Sequence, residues 1–138
     1  MNTLEKEFVP YEQALALKKL GFDEPCFGTY LSSFQSDWKV YELILEMGMN
    51  EEFEDNRNVY LLEGACSAPT FSQAFRWFRE RYGLFYYVTT HDSTDFEWYV
   101  YDKDQNEWED DTTQNTYEEA ELACLIKLIE IVKEKKNG

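Results

Sequence analysis

The chain has 138 residues, 43% of them hydrophobic and 17% aromatic, with a formal net charge of −15 at pH 7. That is enough apolar mass for one core, which excludes a disordered chain, and enough negative charge to exclude direct binding to nucleic acid or an anionic membrane. Between residues 92 and 121, twelve Asp and Glu stand against one Lys, a net −11, so a surface built from this stretch attracts cations or basic proteins.

Residues 11–20 read as a first helix. Ala14, Leu17 and Leu20 share a face, and Gly21 is placed as its left-handed stop with Phe22 behind it. Residues 26–31 follow Pro25 as a short strand. A polar loop occupies 32–37. Residues 38–47 fit two patterns. As a helix, Asp37 caps and Trp38, Tyr41 and Leu45 align. As a strand, Tyr41, Leu43, Leu45 and Met47 alternate with Val40, Glu42, Ile44 and Glu46. The β-branched and aromatic content favours the strand, ended by Gly48. Residues 50–58 read as an acidic loop and 59–62 as another short strand.

Thr70 opens the clearest helix. Thr70 and Gln73 match a capping box, and Phe71, Ala74, Phe75, Phe78 and Tyr82 form one apolar stripe, stopped by Gly83. A strand over 84–90, a turn at 91–94 and a strand over 95–102 come next. In the latter, Phe96, Trp98 and Val100 alternate with Glu97, Tyr99 and Tyr101. A turn at 102–106 leads to a third strand over 107–112. The last helix runs from Thr116 to about Lys135. Thr116 and Glu119 form its capping box, and acids at its start and Lys133, Lys135 and Lys136 at its end suit the helix dipole.

These elements predict an α+β fold in the order α-β-β-β-α-β-β-β-α. Hairpin-linked strands without βαβ alternation predict one antiparallel sheet of about five to six strands, with three helices mainly on one face. The length fits a single domain over 1–138, with 1–9 a flexible lead and 136–138 a frayed end. Cys26, Cys66 and Cys124 are odd in number and form no CxxC pair, which argues for reduced thiols rather than a secreted disulfide scaffold. Residues 1–10 hold Glu5, Lys6 and Glu7 and no apolar signal region, and no run reaches transmembrane length. A cytoplasmic protein is expected.

Three segments together resemble a group of short, uncharacterised proteins from gut bacteria, their phages and mobile elements. They are FDEPCFGTY at 22–30, APTFSQAFRWFRERYGL at 68–84 and TYEEAELACLIKLIEIV at 116–132. Residues 32–66 and 91–115 look like the variable part. The resemblance implies a shared scaffold and a phage- or prophage-associated setting. It implies no activity and carries over no site residue.

The residues with chemistry to offer are few. His91, the only histidine, adjoins Asp92 in a turn without a nucleophile motif, so an exposed turn histidine is the simpler reading. Asp102, Asp104 and Asn106 match positions 1, 3 and 5 of an EF-hand loop, but Glu107 stands at the Gly position and Thr113 at the bidentate Glu position. The three cysteines lack zinc spacing and read as buried structural thiols. No metal or other cofactor is expected.

Two surfaces are candidates for contact. Arg76 and Trp77, with Arg79 and Arg81, have the composition of a protein–protein hot spot. The opposing reading buries Trp77 as a second face of its helix. The acidic-aromatic hairpin sets Trp98, Tyr99, Tyr101 and Trp108 among Asp102, Asp104, Asp110 and Asp111. Its carboxylates either bind a partner, imitate the phosphates of DNA, or only keep a sheet edge soluble. The leading expectation is a non-enzymatic accessory protein with a protein partner, a basic one by charge. A DNA-mimic inhibitor of a host nucleic-acid enzyme is the second reading. A small metal-assisted hydrolase using residues 102–111 is the third. A homo-oligomer interface is another use for the surplus aromatics.

Overall fold

A computed structural model of the chain describes residues 5–33, 40–45 and 65–137. The expected loop at 50–58 and strand at 59–62 lie outside the described residues, as does Trp38. The fold is α+β. The chain divides into two units, Met1–Ser72 and Gln73–Gly138, each with its own three-stranded antiparallel sheet. The single larger sheet expected from the hairpin pattern is thus not formed among the described residues. Each described strand pairs only within its own unit.

In the first unit a 3-10 turn, Glu5–Glu7, precedes helix α1, Tyr11–Lys19. Gly21 ends α1 at φ 102. The Gly21 N–H donates to the Lys18 carbonyl and the Phe22 N–H to the Leu17 carbonyl, both at 3.0 Å. This is a Schellman cap, and its apolar contact is supplied by the buried Leu17 and Phe22. Strand β1, Gly28–Ser33, lies between β2, Val40–Leu45, and β3, Cys66–Ala68. Residues 40–45 thus take the strand form that their composition favoured. Phe8 and Val9, from the segment expected to be a flexible lead, are buried. The Val9 N–H donates to the Pro69 carbonyl at 2.9 Å, and the Tyr30 hydroxyl donates to the Val9 carbonyl at 2.7 Å.

Helix α2, Phe71–Tyr82, lies in the second unit from Gln73 onward and passes through Gly83 directly into strand β4, Leu84–Thr90. Gly83 sits at φ 65, the left-handed conformation that reverses the chain without an extended loop. Strand β5, Phe96–Asp102, pairs with β4 on one side and with β6, Glu107–Glu109, on the other. Helix α3, Tyr117–Asn137, packs on β5 and β4. The Thr116 hydroxyl accepts from the Glu119 N–H at 3.1 Å, as the capping pattern predicts.

Two turns fix the register of this second sheet. Between β4 and β5, one Asp92 oxygen accepts from the Thr94 N–H, the Thr94 hydroxyl and the Asp95 N–H. Between β5 and β6, Gln105 adopts φ 69. The Gln105 N–H donates to the Asp102 carbonyl at 3.3 Å, and the Asp102 N–H donates to the Asn106 carbonyl at 3.1 Å. This is a three-residue hairpin closed by a left-handed bulge residue.

Candidate functional site

The alternation along β5 divides its side chains as the sequence predicts. Trp98 and Val100 are buried, while Tyr101 on the other face is exposed. The pairing then assigns the neighbouring strands. Tyr87 lies opposite Tyr99 and Phe85 opposite Tyr101, and on the far side Glu109 lies opposite Tyr99 and Glu107 opposite Tyr101. Directly opposed residues share a face, so Phe85, Tyr87, Tyr99 and Tyr101 form one outward aromatic cluster. The Phe85 and Tyr101 rings stack at 5.4 Å and 19°, and those of Tyr87 and Tyr99 at 4.8 Å and 20°. Tyr87 and Tyr101 meet across the diagonal at 6.4 Å.

Carboxylates border these rings. Glu107 and Glu109 are exposed at one side. The Tyr99 hydroxyl donates to Glu97 Oε2 at 2.7 Å, and that bond, which requires the protonated phenol, pushes the Tyr99 pKa up to about 12. The result is a face of large rings, two of them well exposed (Tyr87 49%, Tyr101 40%), edged by acids. Amphipathic rings with acidic neighbours can stack on a planar or cationic group and pair with its charge.

The opposite face of the same sheet is core. Tyr86 stacks on Phe75 of α2 at 3.8 Å and 12°, and burial pushes its phenol up to about 12. Cys124 of α3 is fully buried, and burial first, then Glu121 and Asp110, drives its thiol pKa upward. Cys66, in the first unit, is pushed by burial up to about 11.

The residues favoured from sequence are split by this arrangement. Tyr99 and Tyr101 belong to the outward face. Trp98 is buried on the inward face, and the half-buried Trp108 lies opposite Val100 on that side. Trp77 is buried too, only 3% exposed, which corrects its reading as a surface hot spot. Its ring meets Phe78 edge-on at 5.1 Å and Tyr82 at 5.4 Å, and the Arg81 guanidinium lies 6.0 Å from its centroid. The buried arc of α2 is wider than the stripe through Phe71, Phe75, Phe78 and Tyr82, and it takes in Trp77. Arg76 is exposed on that helix.

The aspartates serve the turns. Asp102 Oδ1 accepts from the N–H groups of Asp104 and Asn106, and Oδ2 accepts from the Asn106 side chain. These bonds, the Asn106 side chain first, hold its carboxyl below the usual range. Asp110 Oδ1 accepts from the Thr112 N–H at 3.1 Å. Asp104 and Asp111 are exposed. His91 is exposed as well, in the turn where it was expected. Among the described residues no three His, Cys, Asp or Glu side chains gather in a way that could hold a metal ion.

Four residues of the outward face escaped the sequence reading, Phe85, Tyr87, Glu107 and Glu109, whereas Glu97 was already placed with Tyr99 and Tyr101 by the alternation of its strand. Alternation in 84–90 places Phe85 and Tyr87 together, but only the β4–β5 register sets them against Tyr101 and Tyr99. No helix among the described residues is long and apolar enough to cross a membrane. No protein-family model, curated protein or solved structure matches the chain.

Proposed function

We propose that the chain is a non-enzymatic accessory protein that binds another protein through the outward face of the β4–β5–β6 sheet. One observation carries this reading: four aromatic rings stack against one another on a sheet face where Tyr87 and Tyr101 stay 49% and 40% exposed. Contiguous exposed aromatics are uncommon on a surface that meets only water, and Tyr is enriched where proteins meet. The bordering Glu97, Glu107 and Glu109 favour a basic partner. A DNA mimic calls for a regular array of charge. Here large rings occupy the middle of the face, and that composition favours a polypeptide. Resemblance of the helical segments to short phage and mobile-element proteins adds the setting, an accessory role.

The test is capture from lysate with wild type beside a double variant, Tyr87→Ser with Tyr101→Ser. Both side chains are exposed, so the fold survives, which far-UV circular dichroism checks. A partner held by wild type and lost by the variant is the expected result. Equal recovery of every bound protein by the two would refute the proposed face.

A further inference from the structure

We infer that the outward sheet face takes an extended polypeptide segment with arginines at alternate positions, Arg-x-Arg. This deepens the proposed protein-binding role and rests on it. Two rows of side chains cross the face, Phe85–Tyr101–Glu107 and Tyr87–Tyr99–Glu109. Each row is two aromatic rings followed by a carboxylate. Neighbours within a row have Cβ atoms about 5 Å apart, and the rows are separated by two residues of strand, about 7 Å.

A guanidinium suits such a row better than an ammonium does. It is planar, so it stacks on a tyrosine ring, and its N–H fork pairs with a carboxylate in the same plane. The outward positions hold three carboxylates, Glu97, Glu107 and Glu109, and neither Lys nor Arg. A cationic segment therefore meets attraction along the whole face. An extended chain repeats its side chains on one side every 6.6–7 Å or so, which equals the row spacing. Arginines at i and i+2 thus address one row each. Glu97 is held by the Tyr99 hydroxyl at 2.7 Å, which links the third carboxylate to the second row.

The experiment titrates the full chain with fluorescent ten-residue peptides of Thr and Ser carrying Arg-Thr-Arg, Lys-Thr-Lys or Arg-Thr-Thr-Arg, read by anisotropy. The Arg-Thr-Arg peptide is expected to bind at least about fivefold tighter than either of the others, the scale of one extra bidentate or stacking contact. Glu107→Gln with Glu109→Gln, a pair of exposed and nearly isosteric changes, should weaken it by about tenfold or more. Equal binding of the three peptides, all weakened by that variant, would overturn the Arg-x-Arg inference and leave the binding face standing. Peptides indifferent to the variant would overturn both. Sedimentation supplies a further arm: a dimer abolished by Tyr101→Glu would assign the face to a second copy and overturn the inference.

Discussion

Trp77→Ala separates the two roles that the sequence leaves open for this residue. The indole is 3% exposed and meets Phe78 and Tyr82 edge-on at 5.1 and 5.4 Å. Truncating a buried Trp removes its transfer free energy and leaves a cavity, together about 3–5 kcal/mol. Each edge-on pair contributes roughly 0.5–1.5 kcal/mol beyond area burial, so contacts with Phe78 and Tyr82 make up part of that loss. A surface contact residue would cost within about 0.5 kcal/mol. Against a typical stability of about 5–15 kcal/mol, the buried role moves the urea midpoint far and the surface role barely moves it. The assay is urea unfolding followed by far-UV circular dichroism. Trp77→Phe is the milder companion, should Ala unfold the chain outright. A Trp77→Ala loss below about 1 kcal/mol would refute the core assignment.

Other outcomes follow from the same geometry. Gly83 has φ 65, and an added Cβ meets nothing within 4 Å. Gly83→Ala should therefore cost only left-handed backbone strain less the unfolded-state gain, roughly 0.5–1.5 kcal/mol. Gly83→Asn should cost less, and an alanine variant as stable as wild type by urea titration would contradict this account. Cys66, at about 11, has a thiolate fraction on the order of one in a thousand at pH 8. Cys66 and Cys124 should resist Ellman's reagent in the folded chain and react once it is denatured, and rapid native reaction of both would refute their burial. Tyr30, Tyr86 and Tyr99 have pKa values raised to about 12 from 10.0. A raised phenol pKa means that the fold prefers the protonated form, so this stabilisation is complete below pH 10 and is lost as pH rises through about 12. Absorbance at 295 nm should show these phenols ionising late, together with base unfolding. Full ionisation near pH 10 with native circular dichroism would refute it.

What could be read from sequence was what local chemistry decides. Gly21 and Gly83 end helices because only glycine takes positive φ there without strain. Thr116 caps α3 through a bond to a residue three positions on. Alternation sorts Trp98 from Tyr99 because successive strand residues face opposite ways. Pairing is different. β1 lies between β2 and β3, and β3 comes from far along the chain, after residues 46–64. A strand pattern names faces but not neighbours, so one sheet could not be told from two. The outward aromatic face was half legible for the same reason. Tyr99 and Tyr101 were visible in their own strand, whereas Phe85, Tyr87, Glu107 and Glu109 join them only through register. Asp102 and Asp110, singled out by charge, accept hydrogen bonds in their own loops, a common role for Asp that a charge count does not reveal. Trp77 stayed open between surface and core because it falls beside the stripe of Phe71, Phe75 and Phe78, yet it lies three residues from Ala74 and borders Phe78, inside the buried arc.

The proposed role gives the carboxylates around the rings a second job beside solubility, and salt tests for it. A net charge of −15 makes copies of the chain repel one another, their outward aromatic faces included. In the proposed role, the same Glu97, Glu107 and Glu109 attract a cationic partner to those rings. Both effects are coulombic, and both shrink as the screening length falls from about 10 Å at 0.1 M salt to about 3 Å at 1 M. Their consequences are opposite. Screening weakens the hold on the proposed partner and reduces the repulsion between like faces. If the acids served solubility alone, added salt would promote self-association and change nothing else. If they also recognise a partner, the complex loosens over the same range of salt in which the free protein begins to associate. Two opposed responses of one set of residues to one variable would tie recognition and solubility to the same face.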